Sequence, residues 1–558
     1  MMNLKKNILT HESDSIFFGI LVLLLIGSIT SVYSQNFGEA EVSSEFTEDA
    51  KTTSIIIQYP LDNTTLQRST DSSGNINIVG TYSGNPSSIE ARFNVGAWQV
   101  IDTNPSKGKF SGTLMNQEVG QGLLEVRFEN LPRLIFSVNN IGMGDVFVVV
   151  GQSNVTGAAI NFQTPNSTNQ YVSTEFSTEN QYFETEFSTA NLSPIWRIHQ
   201  DYSVFPLVAN YIIQNEGVPV GFIKTGIASS SIDLWTKNNK GFRGMIQTID
   251  EATNGTMNIS AILFFQGENN TFYVPSLPFG NYNDYKIKLA EFNSNSLNNT
   301  QAKKILIGQI GQIFDGTRHG IDEIRQAQQE SWNDYKIGSG PVTYDIGPHD
   351  DGIHFMTDRE LQVLAERWWA SIAHNLYETE NGRGPQIQNI ELVTSKYLIL
   401  TFDKDVLIAD WKGNVGLKAK GFKISNGDHW LNDSNIIKTT VNKNEVRIIL
   451  NEPISMYVTL SYASGNLGNG EHVIRDTSKY GLPAEPIFSY MFFYGNQNFM
   501  ETHLPSPLQQ LKDGIPQTHV TCKNWFVLTK NISGDSVVCV TPQTQEKLLE
   551  HGWIDLEN

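Results

Sequence analysis

Residues Val146–Asn154 read VFVVVGQSN: five apolar residues, a glycine, and a serine flanked by two amide side chains. The apolar run shows no polar alternation, so it predicts a strand buried on both faces, as in the middle of a parallel sheet. The glycine allows a sharp turn, and a serine opening the next helix sits where backbone N–H groups point outward. Such a turn exposes a hydroxyl beside a ready site for negative charge.

The same pattern extends outward along the chain. Apolar runs at Val220–Ile223, Ala261–Phe265 and Lys304–Ile310 alternate with helical stretches, and within Asp358–Tyr377 the residues Leu361, Leu364, Trp368, Ile372 and Leu376 form one helical stripe. Strands and helices in alternation predict a mostly parallel sheet covered on both faces, here assigned to residues 141–380. In such sheets the reactive side chains gather at the carboxyl ends of the strands. The flanks differ: short β runs separated by Asn, Asp, Gly and Pro turns occur at Ser54–Tyr59, Ile76–Tyr82, Ile89–Phe93 and Leu123–Phe128. They recur at Tyr397–Phe402, Glu445–Leu450 and Tyr457–Tyr462. These predict two all-β sandwiches, residues 52–140 and an immunoglobulin-like one at 386–494. Neither gathers acids, histidines or cysteines, so each is expected to be a spacer or a binding module. The string TEFST occurs at Thr174–Thr178 and again at Thr185–Thr189, and is expected to be a polar insertion or a loop rimming the site.

Hydrophobic residues make up 39% of the 558 and charged residues 17%. That excludes a disordered chain, and a surface filled by Asn, Ser, Thr, Gln and Gly suits β-rich extracellular modules. A net charge of −19, from 39 Lys+Arg against 58 Asp+Glu, argues against a general grip on nucleic acid or anionic membrane. At the amino terminus Lys5 and Lys6 precede the apolar run Ile16–Ile26, and Val32 and Ser34 fit the small-residue cleavage rule. The run is shorter than the about 20 residues a bilayer span needs. Residues 1–34 are therefore expected to be a signal peptide and 35–51 a polar linker, giving a protein secreted or held at the extracellular cell surface. Glu12 and Asp14 are unusual ahead of such a run and keep an uncleaved anchor as the alternative. Two cysteines are too few for a disulfide-dense scaffold or a four-thiolate zinc site. With an extracellular address, Cys522 and Cys539 are expected to form a disulfide in a small tail module, residues 495–558.

Three short blocks carry chemistry. In Gly151–Asn154, Ser153 is the candidate nucleophile, although Val155 replaces the last glycine of a G-x-S-x-G elbow. Asp351-Gly352-Ile353-His354 places a carboxylate and an imidazole on one loop, where the acid can orient a base towards a serine elsewhere or merely cap the helix beyond it. His349 and Asp350 offer a second pair. His354 with Asp351 is preferred because the Asp358 helix can fix His354 and Gly352 permits a tight turn, whereas Pro348 biases His349 towards exposed backbone. After the Ala261–Phe265 run, the Gln266 amide could donate to a developing oxyanion or sit in an ordinary polar turn.

In this order the blocks resemble the SGNH-hydrolase superfamily, and within it the sialate O-acetylesterase-like carbohydrate esterases. Gly151–Asn154 carries the family's Gly-Gln-Ser-Asn block intact, Phe264–Glu268 its Trp-x-Gln-Gly-Glu block with Phe for Trp, and Asp351–His354 its Asp-x-x-His block. Ala228–Trp235 is similar to its Gly-Gly-Thr-x-Ile-x-x-Trp turn, with Ala228 and Ser229 where the family has glycines. The resemblance implies an α/β/α three-layer, flavodoxin-like fold for the central hydrolase domain, which in this multidomain chain is flanked by the two sandwiches. It implies metal-independent hydrolysis of carboxylic esters, with no cofactor. Carried over residue by residue, it makes Ser153 the nucleophile, His354 the general base and then acid, and Asp351 its orienter. It places the Ser153 N–H, a backbone N–H near Ser229 and the Gln266 side chain in an oxyanion hole, with Gln152, Asn154 and Glu268 in support. The implied partner is an acetylated carbohydrate or glycoconjugate; the net charge argues against nucleic acid, and the extracellular address leaves association with the cell envelope open. The competing expectation is a cell-surface glycan-binding or adhesion protein with an inactive hydrolase domain, which the two sandwiches and the Ala228-Ser229 pair favour.

Overall fold

The computed structural model describes residues Thr53–Asp555, apart from 157–170, 178–194, 199–202, 273–281, 315–319, 348–350, 379–381, 427–428, 455–456, 469–470 and 494–505, and in the tail 513–516, 518–519, 521, 523–525 and 532–535. The expected signal peptide and linker, the second TEFST string and His349 lie outside the described residues. The chain forms two compact units. Of one of them the described residues are Thr53, Ser54 and Ser83–Asn85, and the Ser54 and Ser83 hydroxyls are 2.9 Å apart. The other, Ile55–Tyr82 with Pro86–Asn558, carries all the described helices.

The centre of this larger unit is a sheet of β1 (Ile135–Gly151), β2 (Thr174–Ser177), β3 (Ile195–Ile198), β4 (Val220–Lys224), β5 (Ala261–Phe265), β6 (Lys304–Gln309) and β7 (Ile337–Val342), in the order β3-β2-β4-β1-β5-β6-β7. Every neighbouring pair is parallel except the edge pair β2–β3. Five helices cover it: α1 (Phe205–Glu216), α2 (Lys240–Thr253), α3 (Tyr282–Asn299), α4 (Ile321–Ser331) and α5 (Asp358–Ile372). Alternation along β1 explains why its sequence is apolar throughout. Val146, Val148 and Val150 share a core with α2, α3 and α4, whereas Phe147 and Val149 share one with α1 and α5. Strand order reverses on either side of β1, so its carboxyl end opens at a switch point, where α/β proteins place their sites.

The boundary expected between residues 140 and 141 falls inside β1. The first part of this 17-residue strand pairs antiparallel with Gly120–Phe128, from Arg127 opposite Ile135 to Gly120 opposite Met143. From Asp145 onward it pairs in parallel with β4 and, from Phe147, with β5. The amino-terminal β region is therefore not a sandwich closed on itself. One of its sheets, Gln99–Asp102 beside Ile89–Phe93 beside Gly120–Phe128, continues into the central sheet, and the other pairs Ser73–Ser83 with Lys109–Glu118. Ile76, Ile78, Leu114, Ile89, Ala91, Leu124 and Val126 fill the space between them and are completely buried.

Residues 387–493 form two four-stranded antiparallel sheets and a two-stranded ribbon, Val406–Ala409 with Val473–Asp476. Leu398, Leu400, Val446 and Ile448 of one sheet share a core with Phe422, Ile424 and Leu460 of the other. In the tail, Val527–Asn531 lies between Val537–Val540 and Trp553–Asp555, and Cys522 is disulfide-bonded to Cys539. Val520, Leu528 and Val537 pack on Val393, Tyr397 and Ile449 of the sandwich. No helix among the described residues is long and apolar enough to cross a membrane.

Candidate active site

Ser153 owes its position to Gly151. That residue has φ +154°, and a Cβ built on it would lie 1.9 Å from the Phe265 carbonyl oxygen of the neighbouring strand, so a larger residue does not fit. The chain turns there and Ser153 opens a helical turn, with the Val155 and Thr156 N–H groups donating to the Gln152 carbonyl at 2.8 and 3.1 Å. The backbone N–H of Ser153 meets no acceptor among the described residues, as expected for the first turn of a helix.

The second half of the site comes from the segment after β7, which returns over β6 and β5 to reach the end of β1. Its landing point is fixed by the start of α5. Thr357 and Glu360 form a capping box, and the Glu360 carboxylate also accepts from the Met356 N–H at 3.0 Å. Just upstream, Asp351 Oδ1 accepts the backbone N–H groups of Ile353 and His354 at 3.0 and 2.8 Å, closing a tight turn on itself. Its other oxygen, Oδ2, lies 2.5 Å from His354 Nδ1, and His354 Nε2 lies 2.7 Å from Ser153 Oγ. Serine and histidine are 201 residues apart in sequence. Partial burial opposes ionisation of Asp351, but the His354 N–H, the His354 ring and the Ile353 N–H outweigh it and hold its carboxyl below the ordinary carboxylate range. An ionised Asp351 only accepts, so the proton on the ring sits on Nδ1 and Nε2 faces the serine as an acceptor. The His354 and Asp351 side chains are 21% and 37% exposed, so a solute can reach them.

Asn154 joins the two halves. Its amide donates to Glu268 Oε1 at 2.7 Å and to the Ile353 carbonyl at 3.4 Å, and its oxygen accepts the Phe355 N–H at 3.3 Å. Glu268 is buried at the turn after β5, so it anchors Asn154 and, through Asn154, the residues on either side of His354. Gln152 is also buried, and its side-chain oxygen accepts the Asn269 N–H at 3.2 Å.

The turn after β4 lies beside Ser153 because Thr225 donates twice to the Val149 carbonyl, at 3.1 Å from its N–H and 3.0 Å from its hydroxyl, and the Ile227 N–H donates to the Gly151 carbonyl at 2.8 Å. Ser229 sits on this turn at φ +56°, a left-handed conformation that costs a non-glycine residue about 1–2 kcal/mol. Its side chain is exposed, and its N–H meets no acceptor among the described residues. Ser229→Gly is expected to retain wild-type activity and to gain up to about 1 kcal/mol, relief of strain outweighing the entropy of glycine. Thermal melting and steady-state turnover on a small acetyl ester check both.

Gln266 differs from the expectation of an oxyanion donor. It is fully buried, and its amide hydrogens are committed to the Ser230 carbonyl at 2.9 Å and to Asn270 Oδ1 at 2.8 Å. It braces the Ser229 turn from behind. Asn270, which is not among the residues singled out from the sequence, completes that brace by accepting the Ile232 N–H at 2.9 Å. Its one signal was its place directly after the Gln-Gly-Glu-Asn string. Among the described residues no cluster of His, Cys, Asp and Glu side chains is arranged to hold a metal ion.

Residues 143–370 match the family model for carbohydrate esterase, sialic acid-specific acetylesterase. This segment is similar to that esterase family. Among solved structures, a carbohydrate acetylesterase from Xanthomonas citri aligns with 78% of this chain and 98% of its own, at 17% identity and a TM-score of 0.55. A protein from Arabidopsis thaliana aligns with 42% of this chain and 98% of its own, at 16% identity and a TM-score of 0.32. No curated protein matches the chain significantly. The Xanthomonas likeness extends the shared fold beyond the segment that matches the family model.

Proposed function

We propose that the protein is a secreted serine esterase that removes O-acetyl groups from glycans. The observation that carries this is the unbroken hydrogen-bonded series from Asp351 through His354 to Ser153, with 2.5 and 2.7 Å between successive heavy atoms. In the proposed reaction, Ser153 Oγ attacks the acetyl carbonyl carbon while His354 Nε2 takes the hydroxyl proton. The oxyanion that forms is held by the N–H groups of Ser153 and Ser229. As the tetrahedral intermediate collapses, His354 returns the proton to the departing sugar oxygen, leaving an acetyl ester on Ser153. Water then attacks that ester, giving up its proton to His354, and acetate leaves as Ser153 recovers its hydrogen. Ser153 is thus the nucleophile of the first step and water that of the second, and His354 takes the proton from each. Asp351 keeps the ring in one tautomer and one orientation. Gln266 contributes by holding the turn that carries Ser229 rather than by touching the substrate.

Secretion is supported by the amino-terminal pattern and by the disulfide between Cys522 and Cys539. Because that bond closes within the tail, which packs on the sandwich, its reduction is expected to leave turnover of small acetyl esters unchanged. Thiol mapping with a parallel ester assay checks this. The activity itself is tested with a panel of O-acetylated oligosaccharides and polysaccharides, acetate release being measured against long-chain acyl esters as comparison. Binding of the acetylated glycans without any acetate release would favour the adhesion alternative.

A further inference from the structure

The segment just beyond β6, residues 310–314, belongs to neither helix nor strand, and half of its backbone groups pair with side chains. The Ile310 N–H donates to Gln328 Oε1 at 3.1 Å, and the Ile310 and Gly311 carbonyls accept from the buried Arg325 guanidinium at 3.0 and 2.6 Å. The next partner comes from the carboxyl-terminal sandwich. Asn466 lies between Tyr457–Tyr462 and Val473–Asp476, and its amide pairs with both backbone groups of Ile313, accepting the N–H at 2.9 Å and donating to the carbonyl. Gln312, itself buried, answers from the other side, its oxygen accepting the Leu467 and Gly468 N–H groups at 3.0 Å each. Gly465, at φ +72°, turns its N–H to Asp322 at 2.7 Å and its carbonyl to Arg325 at 2.8 Å.

Immediately after this clasped stretch, the Phe314 N–H donates to the Gly352 carbonyl at 2.9 Å. Gly352 lies between Asp351 and Ile353, within the turn that carries the acid and the base. The root of the same loop is held from the same side, because Asp345 pairs with Arg475 of the sandwich and the Tyr344 hydroxyl donates to the Ala484 carbonyl at 2.8 Å.

We infer that the 464–468 loop of the sandwich is a positioning element of the esterase, with Asn466 and Gln312 fixing the Ile310–Phe314 segment and, through Phe314 and Gly352, the Asp351–His354 turn; this rests on the triad assignment above. The physical reason is distance sensitivity. A nucleophile and base must meet within hydrogen-bond reach, and a shift of about 1 Å originating elsewhere can cost about a hundredfold in rate. The carboxyl-terminal sandwich is then neither a spacer nor only a binding module.

The test uses the full chain, with 4-nitrophenyl acetate turnover and the rate of fluorophosphonate capture of Ser153 as two readouts. Asn466→Ala is expected to lower kcat by about ten- to a hundredfold with KM within about twofold, and to slow fluorophosphonate capture by a similar factor. Asn435→Ala, which removes contacts to Asn451 and Glu452 within the same sandwich, controls for general loosening and is expected to keep both wild-type rates. Should the alanine variant fail to fold, Asn466→Asp takes its place, since it keeps the acceptor for the Ile313 N–H and loses the donor to its carbonyl. Wild-type capture and turnover in a folded Asn466 variant would overturn the inference alone. Wild-type protein that does not react at Ser153 would overturn the triad assignment and the inference together.

Discussion

His354→Ala is expected to lower the turnover of acetyl esters by about four to six orders of magnitude, with the fold intact. The imidazole can take the proton of Ser153 Oγ and return it to the leaving alcohol, and among the described residues no other side chain hydrogen-bonds that hydroxyl. Asp351→Asn is expected to cost about four orders, because an amide in place of the carboxylate can offer a donor to Nδ1 and so stabilise the wrong tautomer. The two losses should not add, since each breaks the same relay. Asn154→Ala is expected to cost less, about tenfold to a hundredfold, as it loosens the His354 loop without removing a reacting group. Turnover numbers for the three variants, with circular dichroism to show folding, check the ranking. His349 offers the contrast: its alanine variant is expected to remain near wild type, and a dead His349 variant beside an active His354 variant would reverse the assignment.

Asp345→Asn is expected to lower stability by about 3–5 kcal/mol, a fall of roughly 10 °C in the thermal midpoint. Asp345 has no exposed side-chain surface; it takes two hydrogen bonds from Arg367 at 2.7 and 2.8 Å and a further one from Arg475. Removing its charge would leave two buried guanidinium groups facing each other across the junction of hydrolase and sandwich. A surface pair gives the comparison. Lys286 and Glu330 are partly exposed, and Lys286→Ala is expected to cost less than about 1 kcal/mol. Acidity should report the same cluster. Desolvation opposes ionisation of Asp345, but the Arg367 and Arg475 charges outweigh it and hold its carboxyl well below the ordinary range. A folded value below the unfolded one, which is about 3.9, means the stabilisation is complete above that pH and is lost as pH falls further. The gap in stability between wild type and Asp345→Asn should therefore be widest near neutrality and shrink below about pH 4. A gap that stays constant down to about pH 2 would contradict this assignment of charge.

Much of the hydrolase was legible in the sequence because its physics is local. An apolar run without alternation has to be covered on both faces, and Val146–Val150 is covered by helices on both. Glycine before serine carried its own explanation once the Phe265 carbonyl was found where a side chain would have been. Asp351 and His354 could be paired on paper because three residues and a glycine suffice to close their turn. What failed depended on distant partners. Ile135–Gly151 begins with the exposed Ser137 and Asn139 and becomes wholly buried only from Ile141, so one strand resembled the end of one domain and the start of another. Gln266 has the right chemistry for an oxyanion donor, but Ser230 and Asn270 compete for its hydrogens, and only the fold brings them there. The Ala463–Gly468 stretch reads as an ordinary turn, and nothing in it announces that Asn466 reaches Ile313, 153 residues away. Ser229 showed as a departure from a glycine pattern, and its positive φ explains why glycine suits that position.

The most direct test of the proposed esterase activity is acetate release from O-acetylated oligosaccharides by the wild-type protein and by Ser153→Ala, assayed side by side at equal concentration. The triad mechanism predicts steady, enzyme-dependent release of acetate by the wild type and a loss of about six orders of magnitude in the folded variant. Equal release by the two proteins would contradict it.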